Sequence, residues 1–492
     1  MIFKKSNEEH HLIKRLFSQD DQIDFAKLSG DYNPVHLDPL KARRTCFGQP
    51  VVHGIHVLLW ALDNLVSENL GYSKLTSLKT SFNKFIGVGE IVQFFLKNKD
   101  ETCAEIQLLS ENEQVARIIV TYSSLLSEKF LNFPNEHPNR TQCLDRSAQQ
   151  LSKVSGFLDL CLSQREAALL FPNLMRVFPS SQLAELIALT RLVGMECPGL
   201  HSIFSDLNLN FSKPSNDPAK LNYKVFSYDP RIRLLTQTVK SPGMMGTVRA
   251  FLRSPSQHQE SYLELSKGVR KGEFLGQTAL IIGGSRGLGE VTGKLLAAGG
   301  ARVVISYFLG SEEAHSIVKE IKQGGGDAIC LPFDVLSPNL LRKEDFENGW
   351  VLTHLYYFAT PMISLGSKHS FSASLFQKFC DYYVSGFFNS FQTLKRLESE
   401  LQGIFYPSTI AVSDHPSNMA EYVAAKSSGE AICDLLRKDN PSMNIYSPRL
   451  PQTTTDQMAF FLPAHKHDPA QLMLENLRRF SDKNNIDNGS SS

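Results

Sequence analysis

The sequence predicts a multidomain protein: an α+β region at residues 11–130, a fainter copy of it at 150–262, and an α/β domain on a doubly wound parallel sheet at 274–470. Three observations carry this. The 492 residues are too many for one core, and two to four domains are expected. Twice, an apolar helix-like run is followed by four stretches of strand period. From Gly276 the chain changes character: TALIIGGSRGLGEVTGKLLAAGGARVVISYF is a buried strand, a glycine turn, a helix and a second buried strand.

Composition narrows the function classes. Hydrophobic residues make up 42% and charged residues 21%, ordinary for a folded protein, and the net charge is +1. Nothing argues for nucleic acid or an anionic membrane surface as partner. The eight cysteines are scattered without a C-x-x-C pair, so neither a zinc site nor a disulfide framework is indicated. Reduced thiols in a cytoplasmic protein are the simpler reading. The N-terminal MIFKKSNEEHHLIKR lacks the apolar core of a signal peptide. No apolar run approaches the ~18 residues of a membrane span.

In chain order, FSQDDQIDFA (17–26) opens with cap-like residues and continues as a short helix. LSGDYNPVHLDPLKARRTCFGQPVVHG (28–54) follows, dense in reactive groups. A tight turn at Asn33-Pro34 can bring the Asp31 carboxylate and the His36 imidazole to one point. IHVLLWALDNLV then reads as a buried helix starting at Gly54 and ending near Tyr72. Helix starts present free N–H groups and partial positive charge, suited to a developing enolate oxygen. LKTSFNKFI, EIVQFFLKNKD, CAEIQLLSENEQ and ARIIVTYSSLL have strand period, as a sheet around one central helix requires. Residues 131–150 read as a polar, proline-bearing linker. The second round is the helix SSQLAELIALTRLVGMECPGL and the strands HSIFSDLNLNF, LNYKVFSYD, RIRLLTQTVK and GTVRAFLRS, with no second D-x-N-P-x-H. The chain turns polar again at 257–271, and the tail from Ser481 reads as disordered.

GDYNPVHLD followed by FGQPVVHG resembles the MaoC-like, (R)-specific enoyl-thioester hydratases, a hot-dog-fold family. The resemblance implies that Asp31 and His36 activate water and that the Gly54 N–H holds the thioester oxygen. Many members place a serine in the following helix; here it shows Leu58, Leu59, Ala61 and Leu62. Two lobes in series resemble the double hot-dog hydratases, whose silent half makes room for the acyl chain.

The last domain resembles the short-chain dehydrogenase/reductases, with a Rossmann sheet, on Gly283-x3-Gly287-x-Gly289 and on EYVAAKSSGE. The resemblance implies a dinucleotide held by Gly283, Ser285, Arg286, Gly287, Leu288 and Gly289, with Asp334 on the adenine. The second strand ends in Ser306-Tyr307 without an acid for a ribose 2′-hydroxyl, and Arg286 can meet a 2′-phosphate; both favour NADP. Tyr422 and Lys426, four apart on one helix face, form the proton-donating pair, an ammonium lowering the phenol from its free value near ~10. For the hydroxyl before that tyrosine, Ser408 is favoured and Thr409 stands close behind. The chain departs from the family at Ile282, at Phe358-Ala359-Thr360-Pro361, at Tyr383 in the relay position and at Ser447-Pro448-Arg449.

Together the resemblances imply an NADPH-dependent 3-oxoacyl-thioester reductase joined to a (3R)-hydroxyacyl-thioester dehydratase, in fatty-acyl or polyketide-type biosynthesis. The thioester partner would be CoA or a separate acyl-carrier protein, and the assembly a homodimer or larger. Two other readings stay open: a ketoreductase whose hot-dog lobes only bind the acyl chain, and a non-catalytic member of a biosynthetic assembly.

Overall fold

The computed structural model describes residues 13–66, 73–111, 113–124, 133–337, 341–346, 349–363, 371–397, 400–453 and 467–482. The chain divides into two units, residues 1–255 and 256–492.

In the first unit ten strands make one sheet: β1 (Ile13–Leu16), β2 (Ser73–Phe82), β3 (Ile91–Lys99), β4 (Cys103–Ser110), β5 (Glu113–Ser124), β6 (Ser155–Asp159), β7 (Ser202–Phe211), β8 (Lys220–Asp229), β9 (Leu234–Lys240) and β10 (Met244–Leu252). Their order is β1-β3-β4-β5-β2-β7-β10-β9-β8-β6. It repeats itself about the antiparallel β2–β7 pair, where Leu78 faces Leu209 and Thr80 faces Leu207. Outward from β2 the neighbours are β5, β4, β3 and β1; outward from β7 they are β10, β9, β8 and β6. Buried and half-buried residues alternate along β4, as a sheet with one face on a core requires.

Each half of the sheet wraps one long helix. Gly54–Leu65 is buried nearly all round, and Ser180–Arg191 is buried at every position from 181 to 190. A surface helix would show a polar stripe; these lack one because sheet and neighbouring helix cover every side. Two buried polar side chains of the second helix find partners, one across to the other half of the sheet and one within its own half. Gln182 holds both backbone groups of Leu75 (2.8 and 3.0 Å), and Glu185 accepts from Ser241 Oγ and the Gly243 N–H, both at 2.8 Å.

Three expectations change here. The helix after Gly54 stops at Leu65 rather than near Tyr72, which lies outside the described residues. The stretch read as a linker is a strap in its later part: the Leu144 N–H donates to Met195 O, and the Leu200 N–H donates to Leu144 O. Polar composition marked it correctly as loop, but its backbone pairing is invisible to composition. Tyr262, expected to end the preceding lobe, lies in the core of the second unit with Leu295 and Ile321.

The second unit has a six-stranded parallel sheet ordered β13-β12-β11-β14-β15-β17. Its strands are β11 (Thr278–Ile282), β12 (Arg302–Tyr307), β13 (Asp327–Pro332), β14 (His354–Tyr357), β15 (Gly403–Phe405) and β17 (Asn444–Tyr446). A small parallel pair, β16 (Ser408–Thr409) and β18 (Arg449–Leu450), lies apart from it. All of β11 is buried, since helices cover both faces of a doubly wound sheet. Helix Pro469–Ser481 adds Met473, Leu477 and Phe480 to the core, so this unit runs past 470. The tail expected to be disordered from Ser481 begins with helical Ser481, and the rest of it from 483 lies outside the described residues. Among the described residues no helix is long and apolar enough to cross a membrane.

Candidate active sites

The first site begins at a helix end. Helix Gln19–Ser29 stops at Gly30, whose φ of 75° is the left-handed turn a glycine takes without strain. The next residues form two interlocked caps. Ser29 Oγ accepts from the Asp31 N–H (3.2 Å), and Asn33 Oδ1 caps the short helix Pro34–Leu37 through the Val35 N–H (3.1 Å). Pro34 opens that helix, and His36 sits on it.

The turn brings Asp31 and His36 together. Their ligating atoms and one of His53 lie within 4.8 Å of one another. His36 Nδ1 is 2.7 Å from Val51 O. A carbonyl can only accept, so Nδ1 carries the ring proton and Nε2 keeps its lone pair. Burial pushes the His36 ring below its ordinary value, with the Asp31 charge opposing, so the imidazole is neutral near pH 7. Burial pushes the Asp31 carboxyl up; His36, the Thr190 hydroxyl and the Asn33 N–H oppose that.

Three acid or imidazole groups so close have the composition of a metal site. The geometry leaves few ligands. His53 Nδ1 and Nε2 each lie 3.0 Å from a carbonyl-type oxygen, Gln22 Oε1 and Asp31 O, and the ring stacks on His36 at 3.8 Å. His53 has an oxygen close to each ring nitrogen, so among the described residues Asp31 and His36 Nε2 are the groups best placed to act on a water or hydroxyl. Gly54 is the first residue of its helix, where an N–H has no intrahelical acceptor. A Cβ there would come 3.3 Å from the Phe82 ring, which packs edge-on to Phe204 from the other half of the sheet.

The other half also holds Asp31, which the sequence reading did not foresee. Thr190 Oγ1 donates to Asp31 Oδ2 (2.7 Å), and Asn33 Nδ2 donates to Gly194 O (2.9 Å). Helix Ser180–Arg191 ends in the π-helical turn Leu192–Glu196, which swings Gly194 against Asp31 so closely that a Cβ would lie 2.3 Å from Oδ1. No motif marks Thr190 or Gly194, because the contact spans some 160 residues of chain.

The second site begins at the glycine turn after β11. Gly283 (φ 76°) lies against the exit of β14, where a Cβ would sit 2.9 Å from Ala359 N. A Cβ on Gly289 would sit 2.4 Å from Gly283 O. Such packing leaves the start of helix Gly287–Ala298 bare for an anion, as a dinucleotide pyrophosphate requires. Ser285 is buried beside it, Leu288 packs on the core, and Arg286 is the helix N-cap residue. Ser306 is the next-to-last residue of β12, its Oγ accepting from the Gly283 N–H at 3.3 Å, and no acid for a free ribose hydroxyl stands at this strand end. Asp334 Oδ1 accepts from the Leu336 N–H (2.9 Å) in the loop after β13.

Tyr422 and Lys426 lie on helix Ala420–Asp439, both buried. The favoured hydroxyl is corrected. Ser408 turns its Oγ onto the Glu430 carboxylate, and it is the Thr409 hydroxyl that acts to lower the Tyr422 phenol. On a strand successive side chains point to opposite faces, so a one-residue shift in reading exchanges the two. Burial works against the expected lowering of the phenol. Burial raises the Tyr422 phenol to about 12 and Thr409 opposes it, while Lys426 contributes no lowering. The lysine donates to Pro407 O at 2.8 Å and lies 4.0 Å above the Tyr383 ring, and burial brings it down to about 7. Tyr383 thus fills the relay position with an aromatic face; its hydroxyl pairs with Thr360 Oγ1 at 2.5 Å and its ring meets Tyr422 edge-on.

Comparison with known proteins agrees with both motifs. A family model described as a MaoC like domain matches residues 5–116, and one for short chain dehydrogenase matches 277–447. Versicolorin reductase stcU of Emericella nidulans is 40% identical over 68 residues, 14% of this chain and 26% of that protein. A 3-oxoacyl-[acyl-carrier-protein] reductase of Synechocystis is 44% identical over 59 residues, 12% and 24% of the two chains. The match thus spans about a quarter of each relative's length. Among solved structures, the angucycline C-6 ketoreductase LanV with bound NADP is 20% identical with a TM-score of 0.38, covering 43% of this chain and 91% of that one.

Proposed function

We propose that this chain, which joins a MaoC-like domain to a short-chain dehydrogenase domain, is a bifunctional enzyme: an NADPH-dependent 3-oxoacyl-thioester reductase and a (3R)-hydroxyacyl-thioester dehydratase. The observation that carries the reading is the open lone pair of His36 Nε2 beside the Asp31 carboxylate, in a chain that also pairs Tyr422 with Thr409. The self-repeating strand order supports reading the first unit as a double hot-dog, with residues 150–262 as a lobe without its own acid/base pair. The name of the Synechocystis relative, a 3-oxoacyl-[acyl-carrier-protein] reductase, supports the 3-oxoacyl thioester as substrate.

In the reductase, the bare helix start after Gly283 fits a pyrophosphate, with Ser285, Arg286, Gly287, Leu288, Gly289, Asp334, Tyr422 and Lys426 as the remaining contacts. NADPH, when bound, supplies the hydride. Tyr422 gives its phenol proton to the substrate carbonyl oxygen, and Thr409 orients that phenol. With Lys426 near 7, the lysine can change protonation state at neutral pH and return the proton.

In the dehydratase, His36 Nε2 takes the α-proton of the 3-hydroxyacyl thioester. The Gly54 N–H holds the enolate oxygen that results. The enolate re-forms its carbonyl, the C3–O bond breaks, and the hydroxyl leaves as water with the proton from His36. Asp31, fixed by Thr190 and Asn33, orients that hydroxyl.

A second reading, a ketoreductase whose lobes only grip the acyl chain, is favoured by the burial that raises the Asp31 carboxyl and by the serine missing after Gly54. Paired variants decide. Tyr422→Phe should abolish NADPH oxidation with an acetoacetyl thioester and spare crotonyl-thioester hydration; Asp31→Asn should do the reverse. If each folded variant loses both activities, the two-site proposal is wrong; if the wild type hydrates nothing, the second reading replaces it.

A further inference from the structure

One buried cation near the Asp31 turn has no use in that chemistry. Arg253 directly follows β10 and is only 9% exposed. Its backbone N–H donates to His201 O at 2.8 Å, which fixes where the side chain starts. Nη2 donates to Leu200 O at 2.6 Å, the carbonyl that also receives Asn33 Nδ2 at 3.3 Å. The guanidinium is therefore one shared oxygen away from the Asp31–His36 turn. Its Nε is buried without a partner. Among the described residues no carboxylate pairs with it: Asp145 is spent on His201 Nε2 at 3.3 Å and is itself mostly exposed. Its charge opposes protonation of His36 and favours the ionised thiols of Cys46 and Cys143.

A buried guanidinium with one neutral acceptor is costly, and folding alone gives no reason to keep it. A planar oxyanion would complete it, since the arginine fork matches a carboxylate or phosphate in two parallel bonds. We propose that Arg253 is an anion subsite of the dehydratase lobe that binds an oxyanion carried by the thioester substrate. This rests on the dehydratase reading above. The nearness of the guanidinium to the reacting turn places the anion on the acyl chain, as a terminal carboxylate a few bonds from C3. The pantetheine phosphate has the same chemistry but lies a long arm away from the thioester carbon.

Three ligands separate the sources: glutaconyl-CoA with a chain carboxylate, crotonyl-CoA without one, and crotonyl-pantetheine without the phosphate. Each is titrated calorimetrically, and assayed for hydration, with wild type, Arg253→Met and Arg253→Lys. Arg253→Met should weaken glutaconyl-CoA about 10- to 100-fold, the worth of a charge-assisted pair. Crotonyl-CoA and crotonyl-pantetheine should stay within about threefold, and Arg253→Lys should restore part of the loss. Weakening of both CoA esters with crotonyl-pantetheine spared would keep the oxyanion subsite and assign it to the phosphate. Equal weakening of all three ligands, or none, would overturn the proposal, because a strut that merely holds Leu200 cannot discriminate among them. Binding is read without turnover: arginine-dependent binding in a protein that hydrates nothing would uphold the subsite and sink the dehydratase reading alone.

Discussion

Gly194→Ala is the sharpest probe of the way one half of the first unit serves the other. The added methyl would sit 2.3 Å from Asp31 Oδ1 and 2.5 Å from Oδ2, while ordinary contact begins at 3.4 Å. The carboxylate must therefore retreat by about 1 Å, carrying Oδ2 away from its 2.7 Å bond with Thr190. A misplacement of about 1 Å in a catalytic constellation costs on the order of 100-fold in rate. The helix itself does not suffer, since alanine is favoured over glycine in helix interiors by about 1 kcal/mol. Overpacking costs about 1–3 kcal/mol, which a folded domain can absorb. The assay follows the loss of crotonyl-thioester absorbance beside NADPH oxidation by the same preparation. Hydration should fall about 100-fold and ketone reduction should not change. A Gly194→Ala protein that hydrates at the wild-type rate would show that Asp31 is not held at this contact, and the cross-lobe account would fail.

Two further outcomes follow from other contacts. Thr409→Val should lower NADPH-dependent reduction by about 10- to 100-fold, whereas Ser408→Ala should leave it within a few-fold. Ser408 hydrogen-bonds Glu430 and the Thr409 hydroxyl acts on the Tyr422 phenol, so the opposite ranking in steady-state rates would refute the assignment. His56 lies buried among Phe17, Phe25 and Phe171 with both ring nitrogens unpartnered, and burial lowers it to about 3. The unfolded ring takes its proton near ~6.5, so the unfolded chain binds more protons between there and 3. The stability contribution is whole above that value and is lost as pH falls, by about 1.4 kcal/mol per pH unit at most. His56→Leu should flatten the decline in urea stability between about pH 6.5 and 4; an unchanged slope would mean the imidazole is solvated or paired in solution.

Much of this architecture was legible in the linear order of residues because local rules suffice for it. The turn at Asn33-Pro34 caps itself with groups two and three residues away, so the Asp31–His36 pairing is a short-range consequence of D-x-N-P-x-H. The glycine turn before Gly287 is likewise local, since positive φ and close backbone approach both demand glycine there. The repeat of one helix and four strands is periodicity, which also needs no partner. Folding alone decided which hydroxyl meets Tyr422, because alternate strand residues face opposite ways and a one-residue offset exchanges Ser408 for Thr409. It also decided that Lys426 lies against Pro407 O and the Tyr383 ring. Thr190, Gly194 and Arg253 carry no motif and become visible only when the seam between β2 and β7 brings the two halves together. Spacing along the chain encodes contacts within a turn of backbone; contacts between distant segments are set by how whole surfaces pack, and no short window of sequence contains that information.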